Sequence, residues 1–309
     1  MNVFGKPGNL IVILILIALL GAPLLSAAQF NFASVRFWTD FLQDDVSTFH
    51  ATGSLSAHPR EIYWKAASAA AGGDWETVLA LVDPLLDDGD RYAHEFAGAA
   101  YTALGDLSAA IRSLEFIGDS ASLLTIAATA RSEGDLEVAL QAYTAAWKID
   151  PRASTGGLAG LLAELGRAAE AEDIYRQSLA RVSPLERTRP YWYRGLARLL
   201  MEQGRWTEAA DAWEQVIANA NLFYAGEAHL DEAYFELAWA EHNAGDAVQA
   251  VQAIGTALEL NGSVPYLHRA GVIYEAAGQP AAALAIYRQI LGIDPEDQAA
   301  MEAVQRLTD

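Results

Sequence analysis

The chain has 309 residues, 52% of them apolar and none a cysteine, with 40 acidic against 20 basic side chains for a formal charge of −20. Disulfide frameworks and thiolate chemistry are therefore excluded. So acidic a body repels nucleic acid and anionic lipid surfaces, while its apolar share is ample for a continuous core.

From the N-terminus, residues 1–9 carry one charge, Lys6, before an uncharged stretch from Leu10 to Ala28 that opens with the aliphatic run Leu10 to Leu20. As a helix this stretch extends roughly 28 Å at about 1.5 Å per residue, against a hydrocarbon core of about 30 Å. It also has the marks of a secretory signal: a basic start at Lys6, helix breakers at Gly21 and Pro23, and the small residues Ser26-Ala27-Ala28 for cleavage. Anchor or signal, the orientation is the same, with the amino terminus in the cytoplasm and the acidic body outside. The expectation is a single-pass protein of the cytoplasmic membrane, the alternative a secreted or periplasmic one cleaved after Ala28. Within residues 29–58, the side chains Phe32, Val35, Trp38, Phe41 and Leu42 fall near helical spacing. They suit a short amphipathic helix beside the membrane or, equally, a cap on the first element of the body.

From residue 59 onward the chain is repetitive. Gly73, Gly105, Gly134, Gly166, Gly204, Gly245 and Gly278 each end one apolar helical pattern, and a small residue a few places on opens the next; the spacings are 32, 29, 32, 38, 41 and 33 residues. A glycine there supplies the positive backbone angle of a C-cap. Asp74, Asp106, Asp135 and Asp246 come directly after such glycines and are placed to cap the second helix, while Asp150-Pro151 and Asp294-Pro295 set a cap residue before a proline in a first turn. Ser183-Pro184 to Pro190 and Asn219 to Ala228 absorb the two long intervals, as loops or as longer helical ends.

In the last unit Leu267, Ala270, Gly271, Tyr274, Gly278, Ala283, Tyr287 and Pro295 form a complete signature, and in the third Leu123, Ile126, Ala127, Gly134, Ala139, Tyr143, Ala146 and Pro151 repeat it with Ala130 replacing an aromatic. Leu158, Ala159, Ala171 and Tyr175 carry it in the fourth, Leu196, Ala197, Ala209 and Trp213 in the fifth, Leu237, Ala238 and Ala250 in the sixth, and Gly98, Tyr101 and Ala110 in the second, while Val78 stands for the usual alanine in the first. On these residues the chain resembles the tetratricopeptide repeat family, whose period is about 34 residues. The resemblance covers roughly residues 59–295. It implies an all-α fold, a right-handed superhelical solenoid of about seven helical hairpins in which no unit buries its apolar face alone. Residues 296–309 are then a helix that caps the open end.

The resemblance also implies that the first helix of each unit lines a binding groove. Its inward places are mainly Ala67, Ala70, Ala71, Ala99, Ala103, Ala128, Gly156, Gly160 and Ala163 in units one to four, and become Tyr191, Arg194, Arg198, Phe235, Trp239, His242, Asn243 and His268 in units five to seven. Aromatic and arginine side chains are the usual anchors of interfaces, and Arg194 and Arg198, one turn apart, suit a carboxylate. The competing reading pairs them with Glu202 or Glu232, and Trp239 belongs to the core if the register slips by one. The two-lysine, two-asparagine clamp of relatives that bind chaperone tails is absent.

No catalytic, cofactor or metal site emerges. No two of His50, His58, His94, His229, His242 and His268 share the four-residue spacing that puts two ligands on one helical face. Asp87-Asp88-Gly89-Asp90 lacks the alternating ligands of a calcium loop, and Asn261-Gly262-Ser263 is a glycosylation acceptor pattern or an ordinary turn. The expectation is thus a noncatalytic scaffold that binds a protein or peptide and sits in the membrane through its N-terminal helix, with no nucleic acid, cofactor or small-molecule substrate. A permanent structural subunit of a larger membrane assembly and a secreted accessory protein are the alternatives.

Overall fold

The computed structural model describes residues 60–223 and 230–308. The apolar stretch from Leu10 to Ala28, the segment 29–58 and residues 224–228 of the second long interval lie outside these residues. Among the described residues there are fifteen α-helices and no strand. None of the described helices is long and apolar enough to cross a membrane.

Two compact units divide the chain at Ile149. The first holds α1 (Arg60–Ala71), α2 (Trp75–Leu86), α3 (Arg91–Leu104), α4 (Leu107–Ile117), α5 (Ser120–Glu133) and α6 (Leu136–Ile149). The second holds α7 (Pro151–Glu164), α8 (Ala168–Arg181), α9 (Arg189–Glu202), α10 (Trp206–Phe223), α11 (Leu230–Ala244), α12 (Ala247–Leu260), α13 (Val264–Ala276), α14 (Pro280–Ile293) and α15 (Gln298–Thr308). Taken in pairs these are three helical hairpins in the first unit, and four with one further helix in the second.

The turns inside the hairpins arise from the glycines. All seven marker glycines have positive φ, from 71° to 91°. At Gly105 the left-handed residue donates its N–H back to the Thr102 carbonyl, satisfying one of the helix's terminal acceptors. The next residue then caps the second helix of the pair: the carboxylates of Asp74, Asp106, Asp135 and Asp246 accept from the backbone N–H of Thr77, Ala109, Val138 and Gln249. Such a cap contributes about 1 kcal/mol.

Hairpin cores are closed by small residues under large ones. A Cβ on Gly271 would lie 2.4 Å from Tyr287 Cζ, and one on Gly98 would lie 3.0 Å from Leu114 Cδ2. Glycine lets the two helices of the seventh and second hairpins approach. A third close approach, between Gly195 of α9 and the Tyr175 hydroxyl of α8, joins successive hairpins instead. In the first unit Tyr63, Val78, Val82 and Phe96 are buried together, with the Tyr63 and Phe96 rings stacked 5.8 Å apart. In the second, Leu267, Ala283, Tyr287 and Ile290 are buried with Ala300 and Ala303, so α15 closes the seventh hairpin. Each large apolar side chain so buried contributes about 1.5 to 3 kcal/mol.

The two long intervals are absorbed differently. Between α8 and α9 the extra residues are a loop pinned at both ends: Ser183 Oγ accepts from Leu185 N–H, and the Arg189 guanidinium donates to the Leu179 carbonyl at 2.8 Å. Between α10 and α11 the described part of the interval, 219–223, lengthens the helix, and α10 runs for 18 residues.

One expected turn is different. Asp294 and Pro295 do not open a helix: Asp294 ends α14 and accepts from Glu296 N–H in a turn. Asp297 takes over as the cap, accepting from Ala300 N–H at 2.8 Å and from His268 Nε2 at the same distance, which fixes the start of α15 at Gln298. Its carboxyl is held below the usual range by the Ala300 N–H first and His268 second.

Candidate partner-binding surface

The first helices of the hairpins present two kinds of surface. On α1, α3, α5 and α7 the expected groove places are small: Ala71, Ala103, Ala128 and Gly156 are exposed, Ala67, Ala70, Gly160 and Ala163 half-buried. Ala99 departs from the expectation and belongs to the buried core. On α9, α11 and α13 the corresponding places carry long polar and aromatic side chains, all inside the second compact unit.

Two clusters form there. In the first, Arg194 and Arg198 of α9 converge on Glu232 of α11. Arg198 Nη2 hydrogen-bonds Glu232 Oε1, and Arg194 Nη1 stands 3.5 Å from Oε2. The competing reading of these arginines is therefore correct in naming Glu232. Arg198 remains 57% exposed, and Tyr191, one turn before Arg194, is 59% exposed. Here two cations face the one carboxylate of Glu232, in a chain of net charge −20.

In the second cluster Phe235 and Trp239 of α11 meet Arg269 of α13. The Arg269 guanidinium carbon lies 3.5 Å over the Phe235 ring and 5.0 Å from the Trp239 centroid. It is fixed by Nη1–H donation to the Phe235 carbonyl at 3.0 Å and to Glu236 Oε2 at 3.1 Å. Tyr266 stacks on Phe235 with centroids 4.1 Å apart. A ring and a guanidinium at such distances cannot share one face, so both faces of Phe235 are covered and it supports the surface instead of offering itself. Trp239 is half-buried between the buried Ala238 and Ala240, hence at the surface of α11. Its ring lies 5.2 Å from His242, and its carbonyl accepts from Asn243 Nδ2 at 2.7 Å. His268 turns away to Asp297.

Burial pulls the Arg269 guanidinium below its ordinary range, against the pull of Glu236. Tyr266 is pushed up to about 12 by burial and by its hydrogen bond to Asp231.

Sequence reading missed Arg269, Tyr266 and Asp231. The signal that finds them is the period itself, because residues one repeat apart are neighbours on successive hairpins. Arg198 and Glu232 are 34 residues apart, as are Phe235 and Arg269; Tyr266 and Asp231 are 35 apart. The same arithmetic gives pairs away from the site, among them Lys148 with Glu115, Arg152 with Glu186, and Arg205 with Glu172. Elsewhere, no group of three His, Asp or Glu among the described residues is placed to hold a metal ion.

Three stretches match tetratricopeptide repeat models: residues 153–177, 194–220 and 264–297. They coincide with the fourth, fifth and seventh hairpins. No curated protein matches the sequence. Among solved structures the chain is similar to YrrB, a TPR protein with an unusual peptide-binding site, at 20% identity and a TM-score of 0.50 over 64% of this chain and 97% of that one. It is also similar to the C-terminal part of a TPR repeat-containing protein from Cytophaga hutchinsonii, at 15% identity and a TM-score of 0.50 over 79% of this chain and 99% of that one. At these identities the likeness speaks for the fold. The described residues are thus all-helical outside their turns, and in the fourth, fifth and seventh hairpins the sequence matches tetratricopeptide repeats.

Proposed function

We propose that the protein is a noncatalytic scaffold that holds a segment of another protein against the first helices α9, α11 and α13, and that its N-terminal apolar stretch tethers it to the outer face of the cytoplasmic membrane. The observation that carries the binding reading is that Arg198 of α9 and Trp239 of α11 stand, with the exposed Tyr191 beside them, at the place whose equivalents on α1, α3, α5 and α7 are Ala67, Ala99, Ala128 and Gly160. An indole or phenol ring buries a large area with little entropy loss, and an arginine adds directional donors. The peptide-binding site ascribed to YrrB is a precedent for such use of this fold. Tethering rests on the length of the Leu10–Ala28 stretch and on Lys6 before it.

The binding reading is tested by replacing Tyr191, Arg198 and Trp239 with alanine, singly and together, and measuring partner capture by crosslinking in the producing cells. Trp239→Ala alone is expected to cost about 2 kcal/mol of binding or more, roughly a thirtyfold loss, with the melting temperature little changed. Undiminished capture by a folded triple variant overturns it. For the tether, protease added to cells with the outer barrier opened and the inner membrane sealed is expected to degrade the repeats. Full protection refutes the outside placement.

A further inference from the structure

The chain contains one asparagine directly before a glycine, Asn261-Gly262, in the connection between α12 and α13. Its surroundings do more than make a turn. Asn261 Oδ1 accepts from the Ser263 N–H at 3.1 Å, which holds the side chain in a turn across Gly262; with ψ at 103° the Gly262 nitrogen reaches Cγ after rotation about the Asn261 Cα–C bond. The same bond polarises the Cγ carbonyl and would stabilise negative charge on Oδ1 if a nucleophile added to that carbon. Asn261 Nδ2 donates to Asp231 Oδ2 at 2.8 Å, and that oxygen also accepts from the Tyr266 hydroxyl at 3.1 Å. Gly262 is exposed and, having no side chain, leaves its backbone nitrogen unscreened.

We propose that Asn261 is a site of spontaneous deamidation, and that the change acts as a slow charge switch on the α11–α13 contact. The Gly262 amide nitrogen attacks Asn261 Cγ to form a five-membered succinimide. The Cγ–Nδ2 bond breaks, and ammonia leaves with the proton that Gly262 gave up. Water then opens either imide carbonyl: attack at Cγ gives aspartate, attack at the main-chain carbonyl gives isoaspartate. The net reaction consumes one water, releases one ammonia and turns a neutral carboxamide into a carboxylate.

The consequence is electrostatic and local. Asp231 loses the Asn261 donor and gains a carboxylate at the same contact, where like charges repel. Tyr266 is held by that aspartate, and the Phe235 ring stacks on Tyr266. Deamidation therefore loosens the support of the aromatic cluster from below. In the isoaspartate product an added backbone methylene also shifts the residue that precedes α13. A Cβ on Gly262 would come no nearer than 3.9 Å to any other group, the Leu258 carbonyl oxygen, so Gly262→Ala fits the fold while screening the attacking nitrogen.

The test ages the purified full chain well below its unfolding transition and maps the products by peptide mass spectrometry. Aspartate and isoaspartate are expected at 261 ahead of Asn219 and Asn243, and severalfold less in Gly262→Ala. Freshly made Asn261→Asp is expected to melt below the parent, and the swap Asp231→Asn with Asn261→Asp to recover the loss by restoring a donor opposite an acceptor. An unmodified Asn261 in a folded chain whose unfolded control deamidates there overturns the proposal. So does an Asn261→Asp variant that melts with the parent.

Discussion

The first helices α1, α3, α5 and α7 and the first helices α9, α11 and α13 belong to hairpins of one design and differ in what they expose. Both sets end at a left-handed glycine. Both bury small residues at the helix contacts, as Ala97, Ala127 and Ala159 do in one set and Ala197, Ala238 and Ala270 in the other. At the ninth place of the repeat the first set holds Ala67, Ala99, Ala128 and Gly160, while in the second the same place is Arg198 in α9 and Trp239 in α11. The repeat therefore fixes the skeleton through a few small positions and leaves the outward places free to vary.

The skeleton should be the more fragile part. Trp213, fully buried in the fifth hairpin with its indole N–H directed at Met201 Sδ, gives the largest expected effect. Trp213→Ala should cost about 3 to 5 kcal/mol in denaturant unfolding. Ala283→Leu, at a fully buried helix contact, should cost about 1 to 3 kcal/mol by overpacking. Its damage should be greatest in the neighbouring hairpins by hydrogen exchange, because stacked repeats are coupled to nearest neighbours. A melt unchanged by Ala283→Leu would place the repeat register elsewhere.

Acid sharpens the comparison by region. In the second compact unit Glu172 is held low chiefly by Arg205, Glu208 by Arg205 and Glu170 by Arg167, with Asp297 held low as well. In the first unit Asp74 is held low by Thr77. A carboxylate with a depressed folded pKa adds stability that is complete above its ordinary value and fades as pH falls through the folded one. Acid should accordingly raise hydrogen exchange in α8, α10 and α15 before α3 and α5, a trend that uniform loosening would contradict. Smaller again, Gly160→Ala in α7 should stabilise by about 0.4 to 1 kcal/mol, since a methyl there meets nothing within 4 Å. Replacing Arg194 and Arg198 by alanine should change stability by about 1 kcal/mol or less, because both face a half-exposed carboxylate near solvent.

Much of the skeleton was legible because its constraints are local. A left-handed C-cap favours glycine, an aspartate after it caps the next helix, and neither depends on distant contacts. Asp294-Pro295 misled for the same reason: the pattern was right for a helix start, but Asp297 competes for the cap and has His268 as a second partner that only the fold supplies. Arg269 was hidden because it stands one place beyond the inward position held by His268, and its meaning comes from Phe235 on the preceding hairpin. The close approach of Gly195 to Tyr175 is likewise a contact between hairpins, invisible to a signature that describes one unit at a time.

The central claim is that recognition lies on α9, α11 and α13 and not on the alanine-lined helices. A photoreactive amino acid placed singly at Tyr191, Arg198, Trp239, Ala103 or Ala128 in the full-length chain, irradiated in the producing cells, compares the two surfaces directly. The account predicts one shared crosslinked partner from the first three positions and none from Ala103 or Ala128. Crosslinks from Ala103 and Ala128 alone, or equally from all five, would contradict it.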